Sequence, residues 1–173
     1  MSIAFPSDDI IISDANVLIN FLDSGHFELL IKLFQGKLHI TDTVRAEIKQ
    51  HNSELDKAIE EGKVKVHKVP IEQVAHLAKS FENFQAGEAS CFVLAKEKGW
   101  RIGTDDGAAK VFIRKELGMH YIFTTFDVLL KAVRLGIIKK TEVESVVDEM
   151  EKKANFFYGE EDYKKFSSEL KKS

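Results

Sequence analysis

The run Ile10-Ile11-Ile12 constrains this chain more than any other stretch, because it is apolar at every position and stops abruptly at Ser13-Asp14. A run without polar alternation suits a strand buried on both faces of a parallel sheet. The apolar residues that follow Asn16 (Val17, Leu18, Ile19, Phe21, Leu22) read as a helix. Asp14 therefore falls where a central strand ends and a helix begins, and in open α/β sheets that carboxyl-end crevice is where ligands bind. Taken alone, Asp14 reads as a helix cap, since aspartate is a preferred cap residue. A second strand ending the same way, Arg101-Ile102-Gly103-Thr104-Asp105-Asp106-Gly107, changes that reading.

The same strand–helix alternation runs through the rest of the chain. Phe27, Leu30, Ile31 and Phe34 recur at helical spacing, and Gly36 marks the end of that helix. Leu38-His39-Ile40 is a short strand. It leads into Thr41-Asp42-Thr43, a cluster of capping types, and a helix through Val44, Glu47 and Ile48 that places Glu47 early in it. Residues 54–61 form a charged helical turn, and 64–69, alternating valine and lysine, a more exposed strand. Helices follow over 71–84 and 87–98, the second with a nearly continuous apolar middle and therefore buried. A strand at 101–104, a helix at 107–117, a strand at 121–123 and a helix capped by Thr125 complete the units. Repeated units of this kind predict a three-layer α/β/α domain with a central parallel sheet and right-handed crossovers. Its bounds are 1–138, with a C-terminal helical extension at 139–173 that breaks near Gly159.

At 173 residues and 44% apolar content, one domain with a proper core is expected. A formal net charge of -3 argues against wholesale electrostatic capture of nucleic acid, while leaving room for a local basic face. The single cysteine, Cys91, excludes an intrachain disulfide, lies in an apolar run and reads as a core residue. The six histidines are scattered and read as ordinary surface or core residues. No stretch is apolar enough to span a bilayer, and residues 1–9 lack the pattern of a signal peptide, so a cytoplasmic protein without membrane association is expected.

The chemistry rests on carboxylates. Asp14, Asp105 and Asp106 fall at strand ends, and Glu88 lies in the first turn of the buried helix, where the helix dipole favours an anion. If the strands behind Asp14 and Asp105 are neighbours, these groups converge. Two carboxylates about 4 Å apart repel by roughly 4 kcal/mol at an effective dielectric of about 20. Such a cluster needs raised pKa values or a divalent cation, and an all-oxygen donor set suits Mg²⁺ or Mn²⁺ rather than zinc.

The residues carrying this chemistry resemble the PIN-domain ribonucleases. The resemblance lies in Ser13-Asp14-Ala15-Asn16-Val17-Leu18-Ile19, in Glu47 of Val44-Arg45-Ala46-Glu47-Ile48, in Gly87-Glu88-Ala89-Ser90 and in Thr104-Asp105-Asp106. Thr124-Thr125-Phe126-Asp127-Val128-Leu129-Leu130 and Arg134-Leu135-Gly136-Ile137-Ile138 extend it, so that it spans about Ile10 to Ile138. Glu88 stands where many VapC-like toxins of the family have aspartate, and Thr124 where the subgroup has glycine. The resemblance implies a PIN-like fold and a divalent-metal-dependent endoribonuclease using Mg²⁺ or Mn²⁺. It implies catalytic roles for Asp14, Glu47, Glu88, Asp105 and Asp106, and metal binding by Asp14, Glu88 and the acidic pair. Of that pair the Thr-x-Asp pattern favours Asp106 and the strand end favours Asp105. A VapC-like toxin would bring an antitoxin protein and a homodimer as partners besides RNA.

Asn16 either positions a water or phosphate or hydrogen-bonds its own turn. Lys110 and Arg114, one helical turn apart, either contact phosphate or form a solvated face. With Thr104 these are the candidate nucleic-acid contacts. The rival reading is a non-catalytic PIN-fold module that binds nucleic acid or protein. A dehalogenase-like phosphatase would need Asp-x-Asp after the first strand, where this chain has Asp14-Ala15-Asn16. A receiver-like phosphoacceptor would carry its acidic pair early rather than late. P-loop chemistry lacks its Gly-x-x-x-x-Gly-Lys.

Overall fold

The computed structural model describes residues 10–12 (backbone), 14–50, 52–82 (Asn52 as backbone) and 84–173. The expectation for residues 1–9 and the place of Ser13 at the strand end lie outside the described residues. Strands β1 (Ile10–Ile12), β2 (Leu38–Thr41), β3 (Val64–His67), β4 (Arg101–Gly103) and β5 (Ile122–Phe123) form one sheet, ordered β3-β2-β1-β4-β5. All four pairings are parallel. Burial follows the order. Every residue of β2 is buried, whereas edge strand β3 buries Val64 and exposes Lys65 and Val66, as its valine–lysine alternation predicts.

Helices α1 (Asn16–Asp23) and α2 (Phe27–Phe34) follow β1, and α3 (Asp42–Glu47) and α4 (Asn52–Glu60) follow β2. Next come α5 (Ile71–Ser80), α6 (Ala86–Lys98), α7 (Gly107–Glu116), α8 (Thr125–Arg134), α9 (Val143–Ala154) and α10 (Glu160–Lys172). Helices lie on both faces of the sheet, giving the three-layer α/β/α architecture of a PIN-like fold. On one side α1 packs on α2 and α9, and α8 on α2 and α10; on the other α6 lies against β1, β2 and β4 and against α5. The residue pattern sets these faces. In α2 the 3.6-residue spacing sends Phe27, Leu30, Ile31 and Phe34 into the core, and the chain leaves through left-handed Gln35 and Gly36. Phe21, Leu18 and Leu22 of α1 are fully enclosed, each contributing about 2–3 kcal/mol of hydrophobic stabilisation. Cys91 is buried within α6, and that burial pushes its thiol far above the ordinary range, as a core residue.

Two helix ends differ from expectation. The helix over 71–84 stops at Ser80, whose hydroxyl donates back to the His76 carbonyl 2.9 Å away. Phe81 then turns extended, and Phe81 and Phe84 pack with Phe92 and Phe112 rather than continue the helix. Glu47 closes α3 instead of lying early in it, because Ile48 adopts an extended backbone. From 139 onward, α9 sets Val143, Val146, Val147 and Met150 into the common core, and Phe156 and Phe166 follow. Among the described residues no helix is long and apolar enough to cross a membrane.

Candidate active site

The strand order reverses direction at β1 and β4, which are parallel neighbours with Ile12 opposite Gly103. A crevice opens beyond their carboxyl ends, at the switch point of an open α/β sheet. The register places Asp14 and the Thr104–Asp106 segment at that crevice. Gly103 leaves room for the ring of Phe123, its register partner on neighbouring β5, which a Cβ there would meet 2.5 Å away.

Asp14 is buried and left-handed, with φ +34°. An L side chain rarely adopts that conformation, and aspartate and asparagine are among the few that tolerate it. Its Oδ1 accepts from the Asn16 N–H at 3.2 Å, and its Oδ2 accepts from the Thr104 hydroxyl at 3.4 Å. The Thr104 hydroxyl accepts in turn from the Asp106 N–H at 3.1 Å. Thr104 is wholly buried. The threonine expected among the nucleic-acid contacts thus orients Asp14 and ties the two strand ends together. Asn16 is exposed, and its backbone supports the turn.

Glu88 enters from the opposite helical layer. Its Oε2 accepts from the Gln85 N–H at 3.1 Å in a capping box at the start of α6. Glu47 arrives at the same helix end, with Oε1 accepting from the Gly87 N–H at 3.0 Å. Gly87 is a glycine for a reason visible here: a Cβ would meet the Glu47 carboxylate at 2.5 Å. The positive end of the α6 dipole thus receives two carboxylates.

These groups act on one another. The Asp14 carboxyl is pushed up to about 8, first by burial and then by the charges of Glu88, Asp105 and Asp106. Glu88 is raised by burial and by Asp106 and Glu47, and is held back by the Gln85 N–H and a hydrogen bond with Asp14. Glu47 is raised by burial against the pull of Gly87. The structure therefore brings Asp14, Glu47, Glu88, Asp105 and Asp106 into one electrostatic unit. Among the described residues no three acidic, histidine or cysteine side chains form a ready cage for an ion.

The two adjacent aspartates divide the work. Asp105 accepts from the Thr125 N–H at 2.9 Å, the Thr125 hydroxyl at 2.6 Å and the Asn20 amide at 3.1 Å. It clamps β4 to α8 and α1, so both oxygens are committed. Asp106 is exposed and caps α7 through Oδ1, which accepts from the Ala109 N–H at 2.7 Å. Sequence reasoning missed Asn20 and misassigned Thr125. The cap of α8 is Thr124, in a reciprocal box with Asp127, which releases the buried Thr125 hydroxyl for Asp105. Asn20 carried a usable signal, a polar residue among Val17, Leu18, Phe21 and Leu22, one turn beyond Asn16.

Asp105→Asn is expected to cost about 1–3 kcal/mol, because an amide must face the donors of Thr125 and Asn20. Asp106→Asn should melt close to wild type, because asparagine caps a helix as well as aspartate does. Thermal melts of the two variants decide the matter, and equal losses would overturn this division of roles.

Lys110 lies 3.7 Å from Asp162 of α10, and both Lys110 and Arg114 line a groove that begins beside the acidic unit. Elsewhere, His39 and His67 share a 2.7 Å hydrogen bond and stack near Trp100 on the β2–β3 side. A family model described as a PIN domain matches residues 10–172. No curated protein and no solved structure matches the chain significantly.

Proposed function

The chain belongs to the PIN-domain family, whose members are generally nucleases using divalent metals, and from that premise we propose that it is a metal-dependent endoribonuclease hydrolysing RNA at the Asp14 cluster. The observation that carries the reading is the burial of Asp14 at the strand switch, in a left-handed turn, facing the other carboxylates.

The donor set fits a divalent cation. The Asp14 carboxyl is raised by burial and by three neighbouring carboxylates, Glu88, Asp105 and Asp106, against the pull of the Asn16 N–H. Concentrated negative charge of this kind asks for a hard cation. Mg²⁺ keeps several waters and binds through one or two carboxylates plus substrate phosphate, so a closed protein cage is not required. Asp14, Glu88 and Asp106 would hold it. A bound Mg²⁺ or Mn²⁺ supplies positive charge to the scissile phosphate and makes water a stronger nucleophile near neutral pH.

The chain's own residues do the rest. Thr104 and the Asn16 N–H fix the Asp14 carboxyl at the mouth of the crevice. Asp105 holds the floor rigid through Thr125 and Asn20. Glu47, half-buried and raised, is suited to take a proton as the water oxygen bonds to phosphorus and the ester P–O bond breaks. Lys110 and Arg114, which line the groove beginning beside the cluster, are the side chains we assign to phosphate. Having every carboxylate of the cluster present favours this reading over a non-catalytic PIN-fold binding module. The narrower reading, a VapC-like toxin forming a homodimer and held by an antitoxin, rests on the motif resemblance. Its test is whether a neighbouring small reading frame encodes a protein that binds this chain.

The test of the enzyme reading is cleavage of an end-labelled, unstructured RNA in Mg²⁺ or Mn²⁺ against EDTA. Internal cleavage that appears with metal and stops in EDTA is expected. Cleavage indifferent to EDTA would sink the reading.

A further inference from the structure

We infer that the turn between α9 and α10 builds a base-stacking subsite for single-stranded RNA, with Phe157 as the platform and Arg114 and Lys165 as phosphate contacts. The inference rests on the nuclease reading for its choice of ligand.

The groove between α7, α8 and α10 measures about 520 Å³, within the roughly 300–1,000 Å³ of ligand clefts. It starts at Asp105 and Gly107, the residues flanking Asp106, so a strand leaving the carboxylates enters it directly. Phe157 stands on its rim with 85% of its surface exposed. The backbone beneath it is anchored. Phe156 is buried, Tyr158 is half-buried, and both pack on Phe126, with ring centroids 5.4 and 4.9 Å away. Phe126 stacks on Phe166 at 4.3 Å, and Tyr158 on Tyr163 at 5.4 Å. With its neighbours turned inward, the ring of Phe157 is turned out from an anchored stretch of backbone. A base stacks on such a ring whatever its identity, because every base has a π-face.

The charges sort in the same direction. Two of the groove's acidic residues are offset by cations, Glu169 by Arg134 and Lys172 and Asp162 by Lys110, while Asp105 and Asp127 are tied by the neutral donors of Thr125, Asn20 and Thr124. Arg114 of α7 and Lys165 of α10 both line the groove and make no ion pair within 4 Å among the described residues, although Lys165 lies in the field of Glu169. Basic side chains beside an exposed aromatic are the combination that single strands use, with phosphates on the cations and bases on the ring. A duplex keeps its bases stacked on one another and cannot use Phe157.

The test measures binding without turnover. Fluorescein-labelled oligouridylate of twelve nucleotides is titrated with Asp14→Asn protein in Mg²⁺, followed by anisotropy. Adding Phe157→Ala should weaken binding roughly 10-fold, and Phe157→Trp should retain it. Lys165→Ala should weaken binding and flatten its salt dependence. Ile71→Ala, an equally exposed apolar position on α5 outside the groove, is the control and should change nothing. Unchanged affinity in Phe157→Ala, full retention by Phe157→Leu, or equal competition by duplex RNA would overturn the subsite, and so would no binding at all. A wild-type protein that cleaves no RNA while its binding still depends on Phe157 would defeat the nuclease reading and leave the subsite standing.

Discussion

Asp14→Asn is expected to lower RNA cleavage by at least about 100-fold, the scale of loss when metal coordination is disturbed. Asparagine is the informative replacement because it tolerates the left-handed backbone of this position, where alanine would add strain. It also keeps one oxygen to accept from Asn16 or Thr104. What it removes is the charge. RNA affinity should hold or tighten slightly, since the variant takes one negative charge away from the phosphate path. The assay compares wild type and variant from parallel purifications on the same labelled RNA. Equal cleavage would place the activity in a contaminant or at another site.

Stability should respond to pH in the direction opposite to that of an ordinary salt-bridged aspartate. The Asp14 carboxyl is raised from 3.8 to about 8 in the fold, so folding favours its protonated form. Its contribution is complete below about pH 4 and is lost as pH rises through 8, by an upper limit of about 6 kcal/mol. Glu88 and Asp105 are raised as well and steepen the loss. In EDTA the Tm is therefore expected to fall from pH 5.5 to pH 8, and Asp14→Asn should flatten the slope and melt higher at pH 8. Millimolar Mn²⁺ should restore wild-type stability most strongly at the alkaline end, where it no longer competes with a proton, and should do little for the variant. A wild-type Tm that ignores both pH and Mn²⁺ would remove the cation from this site.

Elements with a strong internal period were legible from sequence. Ile10–Ile12 and the 27–34 helix announce themselves through apolar patterns in the sequence that need no distant partner. The parallel order and the crevice followed from the alternation of units. What was not legible depends on contacts across the fold. Asp105 and Asp106 are adjacent and chemically alike, and only Thr125, 20 residues on, and Asn20, 85 residues back, give one the clamp. The same contact decides which of Thr124 and Thr125 caps α8, for either hydroxyl suits the role locally. The end of α5 at Ser80 depends on where Phe84 finds Phe92 and Phe112. Phe157 drew no notice in the sequence, because an aromatic in a turn carries meaning only once its neighbours are seen facing inward.

The left-handed turn at Asp14 also shapes how such a sequence can drift. Few side chains sit comfortably at that φ, and asparagine and glycine lead the remainder. Both are reached from an aspartate codon by a single base change. Of the substitutions within one base change, the ones this backbone tolerates best are thus ones that silence the chemistry while leaving the chain folded, and asparagine even relieves carboxylate repulsion. A lineage carrying this turn has a short path from catalyst to inert binding protein. Sister sequences with asparagine at this position, and the groove beside it kept, are what that path would leave behind.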